Sequence, residues 1–161
     1  MNINFLVLRE SAPLAYGEEE RGPFYEKDLV RAQFVAELNE RLGWPLSSIY
    51  VNVLVFAEGA GFQQIDVVVS NKEGGVMIAA LVESPQEYES QREQRLRGLF
   101  KIAFALAKTE KVYRIAYYTR WYDRGMLRKR QIIIDYATHF TYEAWEAAGF
   151  PTLEDFPAHG A

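Results

Sequence analysis

The chain has 161 residues, about half of them apolar, a net charge of −4 and no cysteine. That length fits one domain with a real hydrophobic core, and the missing cysteines exclude disulfides, thiolate catalysis and Cys-ligated zinc. With no run of about 18 apolar residues, no signal-peptide pattern and only His139 and His159 as imidazoles, the expectation is a cytoplasmic protein with no membrane span, no His-based metal site and no triad.

Taken in order, Asn2–Leu8 predicts a short strand. Glu10–Pro23 is polar and marked by Gly and Pro, with Glu18, Glu19 and Glu20 in a row, and predicts a loop. Tyr25–Leu42 predicts a helix whose buried face carries Leu29, Phe34, Val35, Leu38 and Leu42. Gly43 suits its C-terminal cap and Pro45 prevents its continuation. Glu37 and Glu40, near its end, are expected on the solvated surface. Ser48–Phe56 predicts a strand with apolar residues on both faces, hence a central one.

Glu58-Gly59-Ala60-Gly61 turns the chain into a second strand, Gln64–Val69, which carries Asp66. Asn71–Gly75 is a turn signal, and Val76–Val82 is a third strand that delivers Glu83 at its end. A loop of four residues, Lys72–Gly75, sets Val68 opposite Ala79 and Asp66 opposite Leu81. Glu83 is then a same-face diagonal neighbour of Asp66, roughly 7–8 Å away. A loop one residue longer or shorter would send the acids to opposite faces. Two convergent carboxylates are oxygen ligands of the kind that Mg²⁺ uses on a phosphodiester. The alternative for Asp66 is a carboxylate bound by backbone donors or an arginine. An acid between Ile65 and Val67 is costly unless it is paired or metal-bound.

Gln86–Lys108 predicts a long helix with an apolar stripe of Leu96, Leu99, Phe100, Ala103, Phe104 and Ala107. Val112–Thr119 then predicts a strand parallel to the Glu83 strand, reached by a crossover. Arg120–Arg130 reads as a loop or hairpin tip in which Trp121 and Tyr122 alternate with bases, a pattern suited to stacking and phosphate pairing. Gln131–Tyr136 predicts a strand, Thr141 caps a short helix through Ala148, and Phe150–Ala161 is a Pro-bearing tail that wraps the surface. Between Gln91 and Arg130 twelve Lys and Arg face three acids, a charge of +9 in a chain that totals −4. Such asymmetry marks either a phosphate-facing side or a basic part paired with the acidic remainder. The candidate nucleic-acid contacts are Arg92, Arg97, Arg120, Trp121, Arg124, Arg128, Lys129 and Arg130. No phosphate-binding GxxxxGK[ST] loop occurs.

The order of helix, strand, Asp-bearing strand, turn, strand ending in Val-Glu and long helix resembles the PD-(D/E)xK nuclease fold. More narrowly, it resembles the N-terminal domain of type I restriction enzyme R subunits. The matching stretches are Val30-Arg31, Leu38, Leu42-Gly43-Trp44-Pro45, Ile49-Tyr50-Val51, Ile65-Asp66-Val67-Val68-Val69 and Leu81-Val82-Glu83-Ser84-Pro85, within about Lys27 to Thr119. The resemblance implies a restriction-endonuclease-like α/β fold, a central mixed sheet flanked by helices. It implies Asp66 and Glu83 as Mg²⁺ ligands, with Glu37 as a first-helix acid that such a fold can add, and DNA as substrate. The family's lysine, two residues after the glutamate, is Pro85 here, which has no amine. Gln86 is the nearest polar substitute and Lys101 a displaced one. Two functions follow: a Mg²⁺-dependent DNA phosphodiesterase, or a non-catalytic nucleic-acid or protein-binding module on the same fold. Losing one member of a cooperative catalytic set costs orders of magnitude in rate, so the expectation is weak or degenerate catalysis. A homodimer or an acidic protein partner is left open.

Overall fold

The computed structural model describes residues 6–7 and 23–160. Of the expected first strand, Leu6–Val7 is present as β1; the rest of that strand and the acidic loop up to residue 22 lie outside the described residues. Five long strands follow: β2 (Ile49–Ala57), β3 (Gly61–Ser70), β4 (Val76–Val82), β5 (Arg114–Asp123) and β6 (Met126–Asp135). They lie side by side in chain order. Neighbours are antiparallel except β4 and β5, which are parallel. Tight turns suffice for antiparallel neighbours, whereas a parallel pair needs a long crossover. That crossover is α2 (Tyr88–Leu106). Together with α1 (Pro23–Glu40) and the short α3 (Tyr142–Ala147), this gives the expected α/β architecture of a mixed sheet packed against helices.

The sheet is buried on both faces. On one, Phe34, Leu38 and Leu42 of the first helical segment lie on Val67, Val69, Ile78, Val82 and Tyr118. Phe34 stacks on Tyr118 at 4.3 Å between ring centroids, and Phe156 of the tail closes over both. The tail is held by the Trp44 indole, which donates to the Pro157 carbonyl at 2.8 Å, and by the His159 N–H, which donates to Leu42 O at 2.9 Å. On the other face Leu96, Leu99, Phe100, Ile102, Ala103 and Leu106 of α2 cover Val53, Ile65, Leu81, Ile115 and Tyr117.

Both helices differ from expectation by one position of rotation. Val30 is buried where Leu29 was expected, and Leu29 is 40% exposed; Phe104 is 59% exposed while Ile102 and Leu106 enter the core. A stripe read from sequence finds the face but not its edges. The end of α1 is as expected. Gly43 takes φ +77°, and the Trp44 N–H reaches back to the Leu38 carbonyl at 3.0 Å, a closure that needs a left-handed residue.

A feature not visible in the sequence sits in the middle of β2 and β3. Val51 belongs to the α1-side core and Val53 to the α2-side core; across the ladder Val67 lies on the α1 side and Ile65 on the α2 side. Both strands therefore reverse their facing at one rung, between the pairs Val51↔Val67 and Val53↔Ile65. The reversal is made by Asn52, buried and left-handed at φ +53°, a conformation asparagine tolerates better than most residues. Its rung-mate is Asp66.

Of the two readings of Arg120–Arg130, loop or hairpin tip, the structure has the hairpin, of which these residues form the outer half. Its ladder runs unbroken to Asp123↔Met126, and Arg124 and Gly125 turn the chain with φ +53° and +77°. Two positive φ values in a two-residue loop match the twist of the strands. Beyond Val82↔Tyr118 this ribbon has left β4 behind.

Phe34 fills the centre of the α1-side core with two aromatic neighbours. Phe34→Ala should lower unfolding free energy by about 3–5 kcal/mol, measured by urea denaturation. A loss below about 1 kcal/mol would mean that α1 does not carry that core.

Candidate functional site

Register places the two acids as the sequence suggested. Val69↔Ile78, Val68↔Ala79 and Val67↔Ala80 are paired, with an irregularity only toward the turn at Ser70. The β3–β4 ladder then stops, and the Asp66 side chain takes over: its Oδ2 accepts the Val82 N–H at 2.9 Å. The carboxylate, 1% exposed, is reached from both sides of the sheet. From α2, Arg95 Nη2 donates to Oδ2 at 3.1 Å; from α1, Lys27 Nζ stands 3.7 Å from Oδ1. Gln64 Nε2 donates to the same Oδ1 and to Asn52 Oδ1, each at 3.1 Å. Arg31 of α1 donates to Asn52 as well and pairs with Asp28.

Glu83, its side chain 12% exposed, turns toward the same guanidinium, with Oε2 3.5 Å from Arg95 Nε. That approach is an ion pair without hydrogen-bond alignment, since Nε has no hydrogen-bond acceptor. Glu83 Oε1 accepts the Ser84 N–H at 3.2 Å, and Arg95 Nη2 also donates to the Val82 carbonyl at 3.2 Å. The two acids thus converge, and what they converge on is an arginine. Pro85 has a local reason to be there. It occupies the second position of a turn closed by the Glu87 N–H donating to the Ser84 carbonyl at 3.1 Å, where proline's fixed φ is favoured.

Among the described residues no cluster of three His, Cys, Asp or Glu is placed to hold a metal ion. The two proposed lysine substitutes do not join the acids. Gln86 is exposed in the turn before α2. Lys101 lies six residues beyond Arg95, a rise of roughly 9 Å along the helix, and lines a groove with Phe100 and Phe104.

Glu37, expected on the solvated surface, is buried and heavily engaged. Its Oε1 accepts from the Tyr118 hydroxyl at 3.1 Å and lies 3.6 Å from Arg120 Nη1; its Oε2 accepts from Arg41 at 3.0 Å and from Lys129 at 3.3 Å. Burial, followed by the Glu37 charge, pushes the Tyr118 phenol well above its ordinary range, so it remains a donor. Glu37 therefore ties α1 to the root of the β5–β6 ribbon. Arg41 extends the tie to the tail through a bidentate pair with Asp155 at 2.8 and 2.9 Å. That arginine's hydrogen bonds hold Asp155 down to about 2, from 3.8.

The basic candidates divide accordingly. Arg120, expected at an exposed tip, is buried, because it reaches Glu37 and the Gln33 carbonyl. Lys129 is spent on Glu37, Arg130 on Glu89 at 2.8 Å, Arg92 on Glu89 at 3.6 Å, and Arg97 on Glu93 and Glu143 while stacking 4.1 Å over Tyr142. Trp121 is half-buried with Arg130 5.8 Å from its ring. Arg124 and Arg128 are exposed and have no acid partner among the described residues. Sequence reasoning missed Lys27, Asn52 and Gln64, and assigned Arg95 no role beyond its share of the basic charge between Gln91 and Arg130. The signal for Arg95 was its place beside Leu96 and Leu99, at the edge of the buried stripe.

No family model matches the sequence, and no curated protein matches it.

Removing one partner of a buried pair strands the other charge. Arg95→Leu should therefore destabilise by about 3–5 kcal/mol, and the loss should shrink when Asp66→Asn is present, with a coupling of about 1–3 kcal/mol in a double-mutant cycle. Additive effects in urea titrations would show that the two groups do not meet. For Asp155 the folded value is depressed, so its contribution is complete above about 4 and is lost as pH falls toward about 2. A carboxyl titration followed by NMR should place Asp155 near the lower figure in the intact chain, and near the ordinary 3.8 in Arg41→Ala.

Proposed function

We propose that this chain is a nucleic-acid-binding protein on a restriction-endonuclease-like fold, in which the acid pair organises the structure and does not cleave phosphodiesters. The observation that carries the proposal is Arg95, 3.1 Å from Asp66 and 3.5 Å from Glu83. Mg²⁺ demands oxygen ligands in a near-octahedral set and keeps several waters. Both oxygens of Asp66 are already engaged, one by Val82 and Arg95, the other by Gln64 and Lys27. The residues present do not fit the ion, and no hydrolytic step is derived through it. The order α1, β2, β3, β4, α2, β5 agrees with the resemblance, and Pro85 in place of the motif lysine agrees with lost catalysis.

The ribbon supports the binding half of the reading. Residues Thr119–Asp123 and Met126–Arg130 pair only with each other and project five rungs past β4, roughly 17 Å at strand rise. They carry four bases against one acid, and Arg124 in the turn between them adds a fifth. A two-stranded ribbon is of a size that the DNA major groove admits. Arg124 at its tip and Arg128 on its outer strand are free for phosphate or base edges, and Tyr122 is exposed beside them. Charged residues on an edge strand also discourage sheet-to-sheet aggregation, which is the competing reason for their presence. A second reading, weak hydrolysis, is favoured by one observation: Lys27 brings an amine to Asp66.

Duplex DNA should bind with an affinity that falls as salt rises, and Arg124→Ala and Arg128→Ala should each flatten the log–log slope by about 1. Binding indifferent to salt would sink the proposal. Plasmid incubated with Mg²⁺ or Mn²⁺ should stay intact. Cleavage that disappears in Lys27→Ala and Asp66→Ala would replace it with the hydrolytic reading.

A further inference from the structure

One groove in the described structure lies away from the acid pair and from the ribbon. It has a volume of about 520 Å³ and is bounded by the second half of α2, the β2–β3 turn and the start of α3. Sites for small organic ligands span roughly 300–1,000 Å³ and combine an apolar lining with a few placed polar groups. Phe100 forms part of the apolar lining. Phe104 and Phe140 line it too, each 59% exposed. A large aromatic side chain left open to water is ordinary when single; several lining one concavity mark a surface built to be covered.

The polar groups give the sign of what would cover it. Arg97, Lys101 and Lys108, all from α2, stand along the groove. Arg97 is held by Glu93 and Glu143, and Lys108 is 3.6 Å from Glu58 while lying 5.4 Å over the Phe104 ring. Lys101 has no carboxylate partner among the described residues. Thr141 adds a hydroxyl whose oxygen accepts the Ala144 N–H at 3.1 Å. Its own proton remains to donate.

An apolar lining, one uncompensated ammonium and a free hydroxyl donor complement a molecule with a hydrocarbon body and one anionic end. The geometry points to a binding site for a small amphipathic carboxylate. Lys101 pairs with the carboxylate, Thr141 donates to it, and the chain lies along Phe100, Phe104 and Phe140. This assigns Lys101 a role unrelated to phosphodiester chemistry, and the site stands whether or not the chain binds DNA.

The test is calorimetric titration of the full chain with monomeric decanoate, beside decyltrimethylammonium as the cation with the same tail and octanoate as the shorter acid. Decanoate should saturate one site. Octanoate should bind more weakly, by two- to fourfold for each methylene removed. Decyltrimethylammonium should bind at least tenfold more weakly than decanoate. Lys101→Glu, a change at an exposed position that should leave the melting temperature in place, should abolish the preference for the anion. Phe104→Ser should weaken both acids while keeping the preference. Equal affinity for the two decyl compounds, an unchanged decanoate affinity in Lys101→Glu, or no saturation below the micelle threshold would each overturn the assignment.

Discussion

One buried charge sets the terms for the rest of the fold. Asp66 lies in the interior of a hydrophobic strand, where an isolated carboxylate would cost several kcal/mol or more. Its charge is answered from two directions at once, by Arg95 of α2 and by Lys27 of α1. The two helices lie on opposite faces of the sheet, so the same carboxylate fixes where each one docks. Its second oxygen also takes the Val82 N–H in place of a ladder partner. The end of the β3–β4 pairing is thereby satisfied, as buried backbone donors must be. An aspartate here cannot be exchanged for an apolar residue without leaving the Val82 amide unanswered and Arg95 with Glu83 as its one carboxylate among the described residues.

Glu37 plays a parallel part at the other end of α1. It gathers Arg41, Arg120, Lys129 and the Tyr118 hydroxyl, and so joins the first helix, the tail and the root of the ribbon. Much of the basic excess between Gln91 and Arg130 is consumed internally in this way. Of the two readings of that basic stretch, a phosphate-facing side or a part paired with acids, the structure has mostly the second, with a short free tip at Arg124 and Arg128. Formal charge along a segment says little about surface potential until the partners are known.

The parts of the fold that were legible in the sequence were those governed by local rules. The parallel β4–β5 pair followed from the length of its connection and the end of α1 from Gly43; the β3–β4 register did not follow from loop length, since Ser70 pairs with Val76 and a bulge restores the expected pairing from Val69↔Ile78 onward. Thr141 caps α3 as its residue type suggests. The convergence of Asp66 and Glu83 was anticipated from strand parity, but in the structure it also needs the bulge at Ser70. What occupies the space between the two acids was not anticipated. Arg95 is 12 residues beyond Glu83, and its reach depends on the phase of α2, which a stripe of apolar residues defines only to within one position. The same uncertainty misplaced Leu29 and Phe104. Lys27 and Gln64 carry no pattern at all; their roles exist only once α1 is docked.

The reversal at Asn52 and Asp66 has a consequence for how this sheet can vary. Because both strands change sides at the same rung, the alternation on either half is out of phase with the other by one residue. Deleting Asn52 from β2 alone would make Val51 and Val53 consecutive, which keeps each in its present layer by plain alternation, but it would slip the β2 pairing by one residue against an unchanged β3. Length changes in these two strands are therefore tolerated only in concert. The two strands act as one geometric unit, and the aspartate at its centre is held by that shared reversal as well as by its arginine.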